Sequence, residues 1–200
     1  MAVRAPIVFI GASNAAGWQL APIAGHEVVN RAAGGQETQH FVARFDDDVV
    51  AARPRAVILW GYMNNIANTP DREGGRAEAR VRDDCQRLIV KARAAGIELI
   101  VATDVMIGFD EGWRTAIRSW AGRMLGRERY EDYINKHMTS LNAWLTATAK
   151  RERLLLLDLE SVLSHGSGKR TRESSEADGH ITQAGYEALT AYARPISTTP

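Results

Sequence analysis

A single cysteine, Cys85, stands in this chain of 200 residues. It excludes an internal disulfide framework. Long apolar runs are missing as well: none approaches the roughly 18 residues that a membrane-spanning helix needs. Neither sign of charge prevails. Lys and Arg number 25 against 24 Asp and Glu, a formal net charge of +1. The basic residues are interleaved with acids, as on a solvated face, so nothing points to a nucleic-acid or membrane partner. There is no repeat and no low-complexity tract. The N-terminus places a short apolar run and small residues after Arg4, a faint likeness to a secretory leader. The run is too short for one and reads as a first strand. What remains is the expectation of a cytoplasmic protein without cofactor or metal, its oligomeric state unset.

What is present is apolar content: 45% of residues are hydrophobic, enough for one sizeable core. Residues 1–196 read as one domain, and residues 197–200 as a polar tail. Short β-branched runs alternate with longer helical patterns. Strands are expected over 6–11, 27–30, 56–61, 97–103 and 154–159. The runs are almost continuously apolar, the signature of strands covered on both faces, as in a parallel sheet. Helices are expected over 36–52, where Phe41, Phe45 and Val49 recur every four residues, and over 76–95, where Val81, Cys85, Leu88, Ala92 and Ala95 form a stripe. Cys85 is thereby placed on a buried helix face. The stretch 112–151, with Trp113, Trp120 and Met124 in its first half, divides into two helices near Gly126. A last helix covers about 182–193. Strands alternating with helices imply right-handed crossovers and an α/β fold, a three-layer α/β/α sandwich.

In open α/β sheets, sites form beyond the carboxyl ends of the strands. The segments that follow the five strands here are Gly11-Ala12-Ser13-Asn14, then Asn30 to Gly35, then Gly61-Tyr62-Met63-Asn64-Asn65, then Asp104-Val105-Met106, and finally a polar loop ending in Asp178-Gly179-His180. Topology brings them to one edge. A serine hydroxyl becomes a nucleophile when a base takes its proton, and histidine has the pKa for that task. The base needs an orienting partner, for which Asp178 is available. The oxyanion formed on acyl attack needs preorganised donors. Backbone N–H groups near Gly35 and the Asn64 amide are of the right kind. The other histidines, His26, His40, His137 and His165, have no spaced carboxylate or cysteine partners, so no metal site is expected.

Four of these segments, in order, resemble the sequence blocks of the SGNH (GDSL-like) hydrolase superfamily. "FIGASNAAGW" is similar to the first block and puts Ser13 at the nucleophile. "VVNRAAGGQET" matches Gly35 to the glycine that lends an N–H to the oxyanion. "VILWGYMNNIAN" matches Asn64 to the asparagine donor, with Asn65 as the alternative. "ADGHITQAGYEAL" matches His180 to the base and Asp178 to the acid. The resemblance implies a five-stranded parallel sheet in the flavodoxin-like order 2-1-3-4-5. It implies a catalytic set of Ser13, His180 and Asp178, and an oxyanion hole of Ser13, Gly35 and Asn64. The activity implied is that of a serine esterase acting on short-chain acyl esters, acetyl esters among them, in a small pocket. An acyltransferase or thioesterase using the same site, and a non-catalytic binding relative, are the alternatives. A nucleotide-dependent oxidoreductase fits less well, because "GASNAAG" lacks a middle glycine and Tyr133 and Lys136 are one residue too close together.

The departures are specific. The family carries an acid before the serine, and Ala12 stands there instead, so altered bonding around that turn is expected. Two residues separate Gly61 from Asn64, where the family has one. Only Gly179 separates Asp178 from His180, so Glu176, or a Ser–His dyad, competes with Asp178 for the orienting role.

Overall fold

Five apolar runs become five strands, the three central ones largely buried on both faces and the two edge ones only partly covered. They are β1 (Ile7–Gly11), β2 (Val28–Asn30), β3 (Ala56–Trp60), β4 (Glu98–Ala102) and β5 (Leu155–Leu157). The structure is a computed structural model that describes residues 4–69, 73–108, 129–164, 169–176 and 179–193. All strands are parallel, in the order β2-β1-β3-β4-β5. Ile7 pairs with Val28 on one side and Ala56 on the other, and Ala56 pairs in turn with Glu98. The helices are α1 (Ser13–Gly17), α2 (Thr38–Asp48), α3 (Met63–Ala67), α4 (Gly74–Ala94), α5 (Tyr130–Glu152), α6 (Leu159–Ser164) and α7 (Gln183–Ala193).

Alternation along the strands divides the core into two layers. Val8, Ile10, Val57, Leu59, Leu99 and Val101 pack with Phe41 and Phe45 of α2, Val81, Cys85 and Leu88 of α4, and Ile134, Met138 and Leu141 of α5. Ile7, Phe9, Ile58, Trp60, Ile100 and Ala102 face the other way. They meet Ala15 of α1, Leu163 of α6, and Leu189 and Ala193 of α7. Phe9, Trp18 and Trp60 fill the centre of this second layer, with ring centroids 5.7–6.3 Å apart. The expected three-layer sandwich and strand order are therefore present. Among the described residues no helix is long and apolar enough to cross a membrane.

The differences are local. α2 is shorter than expected. Glu37 and His40 form a capping box at its start, and a 3-10 turn over Val50–Ala52 ends with Arg53 in the left-handed region (φ 47°). Pro54 follows, and proline disfavours helix in the residue before it. The fifth strand stops at Leu157 because Asp158 turns away. Its carboxylate accepts the Thr103 hydroxyl and the Ser161 N–H, starting α6. The expected break near Gly126, with Trp113, Trp120 and Met124, lies outside the described residues. So do His165 and the tail.

Gly11 is where β1 must pass close to β3. A Cβ there would lie 2.0 Å from the Trp60 carbonyl oxygen and 2.6 Å from the Ala15 Cβ. Neither neighbour can rotate aside. Gly11→Ala is expected to cost about 3 kcal/mol of stability through overpacking, read as a lowered urea midpoint at unchanged slope.

Candidate active site

Ser13 opens α1 directly after β1, and its hydroxyl is spent on no protein hydrogen bond among the described residues. Position 12 explains how the turn packs. Gly61, at φ 120°, brings the end of β3 so near that a Cβ on it would lie 2.7 Å from the Ala12 Cβ. With no acid at position 12, the turn is braced from elsewhere. The Asn30 amide donates to the carbonyls of Ala15 (2.9 Å) and Trp18 (3.3 Å). The Tyr186 hydroxyl on α7 donates to the Asn14 carbonyl at 2.9 Å. Burial pushes the Tyr186 pKa up to about 12, so it remains a donor at any ordinary pH. Tyr186 lies in the Ala-Gly-Tyr segment after His180, and its bond ties α7 to the turn that carries Ser13.

The paired asparagines separate by direction. Asn65 is buried: its Oδ1 accepts the Thr38 N–H at 3.1 Å and its Nδ2 donates to the Thr38 hydroxyl at 3.1 Å. Thr38 in turn donates to Asp84 at 2.7 Å. Asn65 thus fastens α3 to α2 and α4. Asn64 lines a cavity that Ser13 also lines. One of its amide hydrogens goes to the Gln36 carbonyl at 2.8 Å; the other has no protein acceptor among the described residues. Gly35, next in chain to Gln36, is exposed at φ 72° and is not part of that lining.

Behind the Asn64 turn sits Asp104, 1% exposed, at the end of β4. Its Oδ2 accepts the N–H groups of Tyr62 (2.6 Å) and Met63 (2.9 Å), and its Oδ1 accepts that of Val105 (3.0 Å). Burial pushes the carboxyl pKa above its ordinary range, against the pull of those three donors and of the Arg170 charge. Two amides of α5, one heptad apart, hold the segment that follows. Asn142 bonds both the N–H and the carbonyl of Asp104, at 2.8 and 2.7 Å. Asn135 does the same to Ile107, at 2.8 Å each.

His180 lines the same cavity, as does Glu176. Its backbone carbonyl accepts from the Glu176 N–H at 2.9 Å and from Arg170 Nη1 at 3.0 Å. Asp178 lies outside the described residues. Ser13, Asn64 and His180, drawn from three distant segments, thus border one cavity of about 630 Å³. Met63, Ala67, Ile107 and Tyr130 supply apolar surface, and Arg129, Lys169, Glu131 and Asp132 supply charge.

One expectation about the remaining histidines changes. His137 has a carboxylate partner, Glu78, 59 positions away and 2.6 Å distant in space. Glu78 also accepts from Ser140 and Arg82, each at 2.7 Å. This cluster staples α4 to α5 and is not part of the cavity lining. Among the described residues no group of three or more His, Cys, Asp or Glu is placed to hold a metal ion.

Comparison with known proteins follows the fold. The model of the GDSL-like Lipase/Acylhydrolase family matches residues 10–188. No curated protein matches the sequence. Among solved structures, a candidate acylhydrolase from Bacteroides fragilis is similar at 25% identity and a TM-score of 0.71, over 96% of this chain and 86% of that one. A GDSL-like lipase from Bacteroides thetaiotaomicron shares the fold at 21% identity and a TM-score of 0.69, over 96% and 87%. An acetylxylan esterase from Geobacillus stearothermophilus does so at 16% identity and 0.70, over 100% and 98%.

Proposed function

The chain belongs to the GDSL-like lipase/acylhydrolase family and is a carboxylic ester hydrolase, and we propose that it cleaves short-chain acyl esters of polar alcohols through a covalent acyl-serine intermediate on Ser13. The observation that carries this reading is the meeting of Ser13, Asn64 and His180 around one cavity. The Ser13 hydroxyl attacks the ester carbonyl carbon, and His180 takes its proton. The carbonyl oxygen becomes an oxyanion, held by the Ser13 N–H group and by the Asn64 amide hydrogen not given to Gln36. Fixed donors of this kind need no reorganisation as charge develops. His180 returns the proton to the leaving alkoxide, the C–O bond breaks, and the alcohol departs. Water, deprotonated by His180, then attacks the acyl-serine; the bond to the Ser13 oxygen breaks, His180 returns the proton to that oxygen, and the carboxylic acid is released. Catalytic hydrogen bonds are often loose before substrate binds, so the unengaged Ser13 hydroxyl is consistent with this sequence of steps. Asp178 or Glu176 orients the imidazole.

The polar and charged side of the cavity, with Arg129, Lys169, Glu131 and Asp132, suits a hydroxyl-rich alcohol better than a long acyl chain. An alkyl-fluorophosphonate tests the reading without knowledge of the natural ester. One adduct is expected, on the peptide carrying Ser13, with parallel loss of p-nitrophenyl acetate hydrolysis. An adduct elsewhere with Ser13 unmodified would overturn it. Asn64→Ala is expected to lower kcat on the order of 10²- to 10³-fold with little change in KM, as removal of one oxyanion donor does. Steady-state kinetics on the acetate ester read both constants.

A further inference from the structure

Two buried charges stand behind the cavity without belonging to its lining. Asp104 and Arg170 are each 1% exposed. Asp104 closes β4 and receives three backbone N–H groups, two of them from the turn that leads into Asn64. Arg170 donates from its two terminal nitrogens to consecutive carbonyls, those of Gly179 and His180. The Arg170 charge lies near enough to Asp104 to act on its ionisation. One pair of opposite charges therefore reaches both halves of the site.

The chemistry of each group suits fixing a geometry. A carboxylate is acceptor-only with about four lone-pair sites, so it can gather N–H groups that no neutral side chain would satisfy together. A guanidinium presents donors in a rigid planar fork, which sets the spacing of the two carbonyls it grips. Burying both charges carries a desolvation cost that an apolar plug would not. An apolar plug would fill the space but leave those backbone groups unpaired and the two turns free to rotate.

We propose that Asp104 and Arg170 are the positioning residues of this site, Asp104 holding the turn that aims the Asn64 amide at the oxyanion and Arg170 holding the turn that aims His180 at Ser13. The inference rests on the esterase reading above. Neither residue touches substrate; each acts through another residue's placement.

The test is kcat per active site, with folded sites counted by fluorophosphonate titration in wild type, Asp104→Asn, Arg170→Lys and the double variant. Asp104→Asn removes the charge and half of the acceptor capacity. Arg170→Lys keeps the charge and loses the fork. Each single variant is expected to lose kcat per titrated site on the order of 10- to 100-fold with KM within about twofold, the effect of a small misplacement of reacting groups. The double variant is expected to lose less than the product of the singles, because the two share one frame. Variants that unfold at lower temperature yet turn over at the wild-type rate per titrated site would overturn the proposal, leaving the pair a purely structural role. If Asp104→Asn does not fold, Arg170→Lys is read by the same measure. Failure of both to fold assigns the pair to stability and also overturns it. A wild-type chain that takes no label at Ser13 fails the esterase reading itself. A labelled, active wild type with unaffected variants fails this inference alone.

Discussion

Ser13→Ala will lower the turnover of p-nitrophenyl acetate by about three orders of magnitude or more, as loss of a nucleophile does where the triad acts as one unit. The substitution is well isolated. Ser13 caps no helix, since the cap position of α1 is Ala12 and carries no side-chain bond. The Ser13 hydroxyl holds no protein partner among the described residues. The braces of its turn, Asn30 and Tyr186, grip the carbonyls of Ala15, Trp18 and Asn14, and alanine leaves all three in place. The variant should therefore unfold at the wild-type temperature and bind substrate normally, while neither hydrolysing it nor taking the phosphonate. Retained hydrolysis by a folded Ser13→Ala protein would remove Ser13 as nucleophile.

His180→Gln carries the second large effect. Glutamine keeps a polar side chain but cannot take up and return a proton near neutral pH, so turnover is expected to fall by about as much as for Ser13→Ala. The bonds that hold the local chain, from Arg170 and from the Glu176 N–H, end on the His180 carbonyl and not on its ring. They survive the change. The Ser13→Ala/His180→Gln double variant should be no slower than either single variant, because nucleophile and base contribute as a unit. Residual steady-state hydrolysis of the acetate ester, compared across wild type, both single variants and the double variant, measures this. Multiplying losses would show that the two residues act in separate steps.

Much of this arrangement is written in local pattern, and the remainder is not, for physical reasons. The central strands β1, β3 and β4 are legible because burial on both faces demands continuous apolar runs. α2, α4 and α5 are legible because their buried stripes repeat at helical spacing. α1 and α3, each of five residues, are too short to show any period. Ser13, Asn64 and His180 could be picked out because strand ends meet at one edge of a parallel sheet. Choosing between Asn64 and Asn65 required the direction of two adjacent side chains, which spacing does not encode. Asp104 was visible as a residue at a strand end, but its role depends on β4 lying beside β3 so that its carboxylate meets the next turn over. Arg170 and Tyr186 act on backbone carbonyls, and a carbonyl has no identity in a sequence. For the same reason, the brace that substitutes for an acid at position 12 could be expected but not located.

The division of the core into two layers has a mechanical consequence for catalysis. The elements bearing Ser13 and leading on from His180, α1 and α7, pack against the same face of the sheet and are joined directly by the Tyr186 bond. Asn64 belongs to the opposite layer, through the packing of Tyr62 and Ile66 with α4 and α5. In the proposed mechanism, proton exchange between serine and imidazole is thus internal to one slab of the molecule, while stabilisation of the developing negative charge spans the sheet. A shear of one slab over the other, under pressure or on binding a bulky alcohol, would leave the proton path nearly unchanged and alter the reach of the Asn64 amide first.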